Sequence, residues 1–567
     1  MLLAEAGAAA LGVPVSEVIT RDSHVIHEAS GKKVAYGDIA ADAAALPLPE
    51  EPVYKSRSEY KFIGTAHHRV DLPEKIFGEP IYGIDTDVPG MRYAAVAPPT
   101  IAGGTVTGLA NRAEIEAMRG VEAVVVLDNC VAVVADKVWR AQWAADKVQV
   151  QCDPPDQGPL NDGVLPGNRF ADLEKGGLST IISEGEVDGP LTGDDVIEAR
   201  YTLPFLAHVP MEPLNCTVWN EDDKVHVASG VQGPINARIA VADIYGVSID
   251  DVELHACSLG GGFGRRNSLI YEALNYVTTT CELQKVVGGA IKMTFSREAE
   301  MKMSTYRPAD AAIMQARLGP DGKPTAWYGR SFISIPLASE AKPVYDLPNF
   351  AMLTAAEPPV LAYGVWRSVE ATQTIHFIEC FVDELAIAAG ADPIAYRRSL
   401  LSDPRAIAVL DRVAEISGWT DRPRTKNRGY GVAMSGSFGS WAATVLDVER
   451  VDGVPKVHTA WTVIDCGTAV NPGSVETQMQ GGIHWGLSAG LYGKIDFDEQ
   501  GAIRQTNFHN YRVVTFSDAP RIVVDIIDSP DAPVGGVGEV STPTAGPALL
   551  NALAQMGERP RDLPLVG

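Results

Sequence analysis

Two stretches far apart in the chain carry residue types suited to chemistry: Leu259-Gly-Gly-Gly-Phe-Gly-Arg-Arg266 and Gly535-Gly-Val-Gly-Glu539. Glycines permit φ > 0 and let the backbone approach a bulky ligand, and amide N–H groups in such a turn receive anionic oxygens. Arg265 and Arg266 add forked donors for phosphate or carboxylate. Glu539 is a general base if burial raises its pKa. Read alone, the first stretch is equally a glycine-rich hairpin with a solvated basic tip. A dinucleotide fingerprint starting at Gly260 needs a glycine where Arg265 stands, and no phosphate loop ending Gly-Lys-Ser/Thr occurs.

Other loops also pair glycine or proline with an isolated polar residue. Gln232 lies in Val231-Gln-Gly-Pro234, Arg367 in Gly364-Val-Trp-Arg-Ser-Val369, and Gln478 in the segment that follows Asp465-Cys-Gly467 and runs to Gly482. The two glutamines suit oxo groups or cofactor edges as neutral donors, and Arg367 suits a carbonyl. Each loop taken singly reads first as a structural turn or cap.

The elements that must position these loops have their own signatures. Alternating Val252, Leu254 and Ala256 read as a strand entering the glycine turn. Ile235, Ile239 and Ile244 lie near one face of a helix after Pro234, and Thr374–Ala389 is an amphipathic helix through Phe377, Phe381 and Leu385. Asp392-Pro393 gives the next helix its cap and first residue. Residues 56–153 contain short strands at Ile81–Ile84, Tyr93–Val96, Val121–Val126, Val131–Val134 and Val148–Val150, with a helix near Trp139–Ala145. They form a compact α+β region better suited to scaffolding than to catalysis. Residues 1–50 hold two alanine-rich helical patterns around an extended Val18–His27, followed by the linker Leu46-Pro-Leu-Pro-Glu-Glu-Pro52.

A chain of 567 residues exceeds one core and divides into two or three domains. Its net charge of −25 argues against a nucleic-acid partner. Seven scattered cysteines without a Cys-x-x-Cys support neither a disulfide framework nor an iron–sulfur cluster, so redox electrons would leave through another subunit. No close cluster of side chains suggests a protein-ligated metal, and no run is apolar and long enough for a membrane helix. The chain as given reads as cytoplasmic.

The ordered set Ala207–Asn215, Leu259–Arg266, Trp366–Val369, Asp465–Gly467, Asn507–Tyr511 and Gly536–Glu539 resembles the molybdopterin-binding large subunit of the xanthine dehydrogenase/aldehyde oxidase family. The likeness is strongest to the isoquinoline 1-oxidoreductase β-subunit type. It implies an α+β and α/β multidomain protein: an N-terminal remnant and linker (1–55), an α/β-hammerhead domain (56–153) and a molybdopterin-binding catalytic region (154–567). It also implies molybdopterin cytosine dinucleotide approached by Gly261, Gly262, Phe263 and Gly264, with Arg265 and Arg266 nearby, Gln232 at the metal and Gln478 at the pterin.

In the resembled mechanism the residue matching Glu539 takes a proton from a water-derived hydroxyl whose oxygen attacks an electron-poor carbon, and Arg367 orients substrate. Electrons pass to a small two-[2Fe–2S] subunit, with a cytochrome as a further acceptor. The substrate is an N-heteroaromatic compound or an aldehyde. Members of this branch carry a preceding Gly-Gln-Gly segment, which here would come from a separate chain or a longer start. An export signal in that start would make the enzyme periplasmic. Without the segment the alternative is a noncatalytic scaffold subunit. Trp366-Arg-Ser-Val369 has no cysteine, which speaks against a copper-bridged carbon monoxide dehydrogenase site.

Overall fold

The computed structural model describes residues 1–52, 54–156, 158–161, 165–187, 189–267, 274–332, 342–355 and 361–566. It forms two compact units, Met1–Thr65 and Ala66–Gly567. In the first, helix Leu2–Leu11 packs on a three-stranded antiparallel sheet and buries Ala6, Val25, Ile39 and Ala43. This stretch thus closes a small core of its own.

The larger unit is built on three principal sheets in a mixed α/β arrangement. A seven-stranded sheet runs in the order Val252–Ala256, Lys224–Ser229, Asn215–Glu221, Ile291–Thr294, Arg92–Ala97, Cys130–Ala135 and Val121–Leu127. Strands from the 56–153 region therefore continue a sheet begun by residues 215–294. Of the strands expected there, Val148–Val150 is displaced to Val150–Asp153, and Ile81–Ile84 does not form. A Cβ on Gly83 would overlap the Asn215 side chain, and the Asp85 carboxylate accepts the Tyr82 N–H at 3.1 Å, so the chain turns in a 3-10 helix over Gly83–Asp85.

The five-stranded sheet contains Val196–Leu203, Asp310–Leu318, Pro324–Ser331, Phe350–Thr354 and Ser179–Glu184; the four-stranded sheet contains Arg428–Ser437, Ser440–Val451, Val454–Asp465 and Arg521–Ile527. Helix Ala371–Ala388 shares one core with both. Phe377, Phe381 and Leu385 are buried with Trp327 and Phe350 of one sheet and with Val432 and Val445 of the other. Burial of each such side chain stabilises the fold by about 1.5–3 kcal/mol. The Asp392 carboxylate caps the next helix by accepting from Ile394 and Ala395 N–H at 3.0 Å, with Pro393 at its first position.

Helix Pro234–Tyr245 forms where expected, with its face reversed. Ala237, Ala240, Val241 and Ala242 meet the core, while Ile235 and Ile239 are exposed. Small side chains face the sheet because they permit close approach, which the isoleucine periodicity does not reveal. Among the described residues, no helix is long and apolar enough to cross a membrane.

Candidate functional site

Strand Val252–Ala256 pairs in parallel with Lys224–Ser229 and releases the chain into the glycine turn. Gly261 and Gly264 take φ of 102° and 103°, and Phe263 sits at 55°. Gly264 is the position with no tolerance, because any Cβ would overlap the Val365 carbonyl. A Cβ on Gly262 would lie 2.5 Å from Gln232 Oε1. That oxygen accepts from the N–H of Gly264 at 3.1 Å and of Arg266 at 3.3 Å. Gln232 therefore closes the turn through its oxygen, leaving Nε2 as its donor end.

The two arginines do not form a solvated tip. Both are 0% exposed, and their forks point inward. Arg266 donates to the Gly230 and Glu212 carbonyls at 3.2 and 3.0 Å and to Glu212 Oε2 at 2.9 Å; Arg265 donates to Asn275 Oδ1 at 2.8 Å and the Met303 carbonyl at 3.4 Å. Glu212 also accepts from the N–H of Gly260 at 2.9 Å and of Ile84 at 3.2 Å. The forks are spent on the protein's own carbonyls and carboxylate, so both residues serve as posts behind the turn rather than as receivers of an anion. Burial lowers the pKa of Arg265, with the Glu300 carboxylate opposing. Breaking a buried charge pair of this kind costs about 3–5 kcal/mol.

The second half of the site is organised by helix Pro472–Leu491, capped by the Asn471 side chain and started by Pro472. Gly482, Gly486 and Gly490 form a ridge along it. Cβ atoms at the first two would overlap Ser541 Oγ and the Thr542 carbonyl, so helix Thr542–Gln555 comes up against bare backbone. Ser541 Oγ locks the contact by donating to the Met479 carbonyl at 3.0 Å. Glu539, just before that helix, is thereby held beside Gln478.

Arg367 ties these pieces together. Its Nε donates to the Gly538 carbonyl at 3.0 Å, and its Nη2 reaches the same oxygen at 2.5 Å and Gln478 Oε1 at 2.9 Å. Burial lowers its pKa, with the Glu539 carboxylate opposing, which places the two charges within electrostatic reach. Ser368 Oγ donates to the Glu539 carbonyl at 2.7 Å from a backbone at φ 80°. The Gly535–Glu539 loop is seated on the other side by Gly536 N–H to the Phe438 carbonyl at 2.7 Å and Gly535 N–H to the Cys466 carbonyl at 3.0 Å. Asp465 steadies that seat, accepting from Arg405 at 2.7 Å, Ser529 at 2.6 Å and Gly467 N–H at 3.0 Å.

One aromatic contact joins the halves. Phe263 stacks on Trp485 with centroids 4.0 Å apart, and Trp485 lies 5.6 Å from Trp366. The structure thus brings Gly261, Gly262, Phe263, Gly264, Gln232, Arg367, Gln478 and Glu539 around one helix. Gln232 and Gln478 are exposed, and Glu539 is half-buried.

Sequence reasoning missed Trp485, which is two turns along the helix from Gln478 and so on its face, and the anchoring role of Glu212 inside Ala207–Asn215. It also missed Phe438 and Ser368. Their non-glycine φ values of 56° and 80° have no local sequence signal, although such strain clusters at functional sites. Trp485 Nε1, Thr542 Oγ1 and Arg266 Nε are buried polar atoms without a hydrogen-bond partner. No group of three or more metal-ligating side chains occurs among the described residues. A cavity of about 360 Å³ lined by Thr202–Phe205, Lys494–Asp496 and Asp562–Pro564 includes none of the expected site residues.

Comparison with known proteins places these features. Family models described as molybdopterin cofactor-binding domains match residues 172–401 and 410–520, together more than half of the chain. The isoquinoline 1-oxidoreductase subunit beta of Brevundimonas diminuta is 27% identical over all of this chain and 80% of its own length. The membrane-bound aldehyde dehydrogenase (pyrroloquinoline-quinone) of Gluconacetobacter polyoxogenes is 26% identical, over 99% of this chain and 80% of its own. The crystal structure of quinoline 2-oxidoreductase from Pseudomonas putida 86 superposes with a TM-score of 0.72 at 15% identity, covering 90% of this chain and 97% of that one.

Proposed function

Since this chain belongs to the molybdopterin-binding large subunits of the xanthine dehydrogenase and aldehyde oxidase type, we propose that it hydroxylates an electron-poor carbon of an N-heteroaromatic compound with oxygen from water. The observation carrying this reading is the bridge of Arg367 between Gln478 and the Gly538 carbonyl, next to Glu539. The quinone in one relative's name is not carried over, because the matched family models are molybdopterin domains.

The residues present fit that cofactor. Orphaned donors at Trp485 Nε1 and Thr542 Oγ1 suit an acceptor-rich group. The absence of a three-ligand cluster among the described residues is compatible with a metal held by its own organic group. When bound, the group supplies an electron sink and a site for activating water.

The chain's own residues do the rest. Gly261–Gly264, the Nε2 end of Gln232 and Gln478 are the groups that would hold the cofactor. Glu539 takes the proton of the attacking water-derived hydroxyl, a role that needs proximity without metal ligation. Arg367 holds Glu539 and Gln478 in register, and Arg265 and Arg266 hold the turn from behind.

The finer reading is a cytosine dinucleotide form of the cofactor, a small two-[2Fe–2S] subunit as electron acceptor, and a division of the larger unit near residue 153. Aldehyde oxidation is the second reading, favoured by the named aldehyde dehydrogenase relative. A scaffold role is favoured by the exposure of Gln232 and Gln478.

The test is analysis of the natively purified complex for molybdenum and released cytidine nucleotide, followed by oxidation assays with an artificial acceptor. About one molybdenum per chain and turnover of a quinoline-type substrate above an aldehyde is the expected result. Full molybdenum with aldehyde turnover alone would replace the first reading by the second. No molybdenum would leave the scaffold.

A further inference from the structure

On the exposed face of the seven-stranded sheet, away from the Gly261–Gly264 backbone, three rings share one layer arrangement. Trp219 stands directly opposite His226 in the antiparallel pair, and His226 stands opposite Glu253 in the parallel pair, which makes His255 its diagonal neighbour. The two imidazole planes agree within 14°, with centroids 5.4 Å apart and His226 Nδ1 only 3.1 Å from His255 Nε2. Those values describe rings lying edge to edge with facing nitrogens. Trp219 lies nearly parallel to both, 5.0 Å from one centroid and 5.2 Å from the other, so the indole roofs the junction between them. Its own N–H is directed away, to Glu221 Oε2 at 3.1 Å.

We propose that His226 and His255 form a surface site for a borderline divalent cation of the Zn²⁺, Ni²⁺ or Cu²⁺ class. In the pair as described, one nitrogen donates and the other accepts. Two imidazoles binding one ion at about 2.0–2.1 Å each need their nitrogens roughly 2.9–3.4 Å apart for angles between square-planar and tetrahedral. The observed separation already falls there; the two lone pairs face each other along one line, so both rings must also tilt toward the ion. The proton lying between the rings moves to the far nitrogen of the ring that carries it, and both lone pairs become available.

Imidazole favours this class of ion over Mg²⁺ or Ca²⁺. Glu253, paired with Lys224 at 3.1 Å, lies near both rings and adds negative charge beside the ion without ligating it, and water completes the shell. Because His255 lies on the strand that feeds the glycine turn while His226 lies on its neighbour, the ion cross-links the two strands ahead of the site.

Zinc titration of the intact complex, pre-treated with chelator and followed by calorimetry, tests the site. One Zn²⁺ per chain is expected in addition to any tightly held metal, weakened at least about tenfold in His226→Ala and in His255→Gln, and by less in Glu253→Gln. Titration with Cu²⁺ should quench indole emission in the native protein and lose that component in Trp219→Phe. The variants lie at the surface, and circular dichroism checks their fold. Equal zinc stoichiometry and affinity in a His226→Ala/His255→Gln double variant, or no binding by the native protein, would overturn the proposal. The readout does not involve turnover, so it stands or falls separately from the proposed oxidoreductase activity.

Discussion

Behind the glycine turn stand Arg265 and Arg266, fully buried and bonded to Glu212, Asn275 and main-chain carbonyls. Behind Glu539 stands a loop seated on main-chain carbonyls, with Arg367 as a charged strut and the carboxylate half-open. One side spends charge on immobility. The other keeps its charged group at the surface of the site, where it can act. A group that must hold a large ligand and a group that must exchange a proton call for these opposite solutions, and the two regions should fail in different ways when altered.

The largest contrast comes from Gly264→Val. The positive φ and the overlap with Val365 together should cost about 3–5 kcal/mol, and molybdenum should be lost from whatever protein folds; normal metal content would remove the turn from the cofactor site. Next, Glu539→Gln should keep fold and molybdenum while turnover falls about 10²–10⁴-fold. A rate within a few fold of the parent would strip Glu539 of its role and erase the contrast.

The turn should also be acid-sensitive through His208, which packs beside Gly264. Burial, with Arg265 adding, depresses the pKa of His208 to about 3 from its ordinary 6.5, so the unfolded chain binds the proton first. The stability this group contributes is present above pH 6.5 and is lost as pH falls toward 3, by about 2 kcal/mol between pH 7 and 5. Denaturant midpoints should fall over that interval and fall less in His208→Gln. An unchanged slope would show that the imidazole is not held neutral. His376 is shifted alike, so part of the slope remains.

The smallest effect should be that of Arg367→Lys, which keeps the charge but cannot reach Gly538 and Gln478 together. A roughly tenfold fall in kcat/KM, with molybdenum unchanged, is the expected outcome. Loss of molybdenum in this variant would show that the strut serves the holding side instead.

Much of this arrangement was legible because local rules suffice for local features. Asp392 caps, Thr374–Ala389 is helical at its core, and a strand leads into the Gly260–Gly264 turn, each from spacing alone. Gln232, Arg367 and Glu539 stand on loops as their format suggested, whereas Gln478–Gly482, read as a loop, lies inside helix Pro472–Leu491. What sequence could not give was direction. Nothing near Arg265 and Arg266 announces that Glu212, distant in sequence, waits behind them, so an inward fork and a solvated one look identical. Ile235 and Ile239 mark a helix face but not whether the alanine face is the one a sheet wants. Trp485 is a tryptophan in a glycine-rich helix until Phe263 is folded onto it.

The glycine ridge on Pro472–Leu491 bears on the order in which the protein is made. A helix with glycines at Gly482, Gly486 and Gly490 pays about 1 kcal/mol at each relative to alanine, and the partner that offsets this, Thr542–Gln555, is synthesised after it. Until then the central helix lacks the surface it is shaped for, and Glu539 has not been synthesised. The turn near Gly264 is synthesised before both helices, and until they follow it has nothing to face. On the proposed function, cofactor insertion waits for the residues of Thr542–Gln555, and a product ended before them is left without a site in which to trap it.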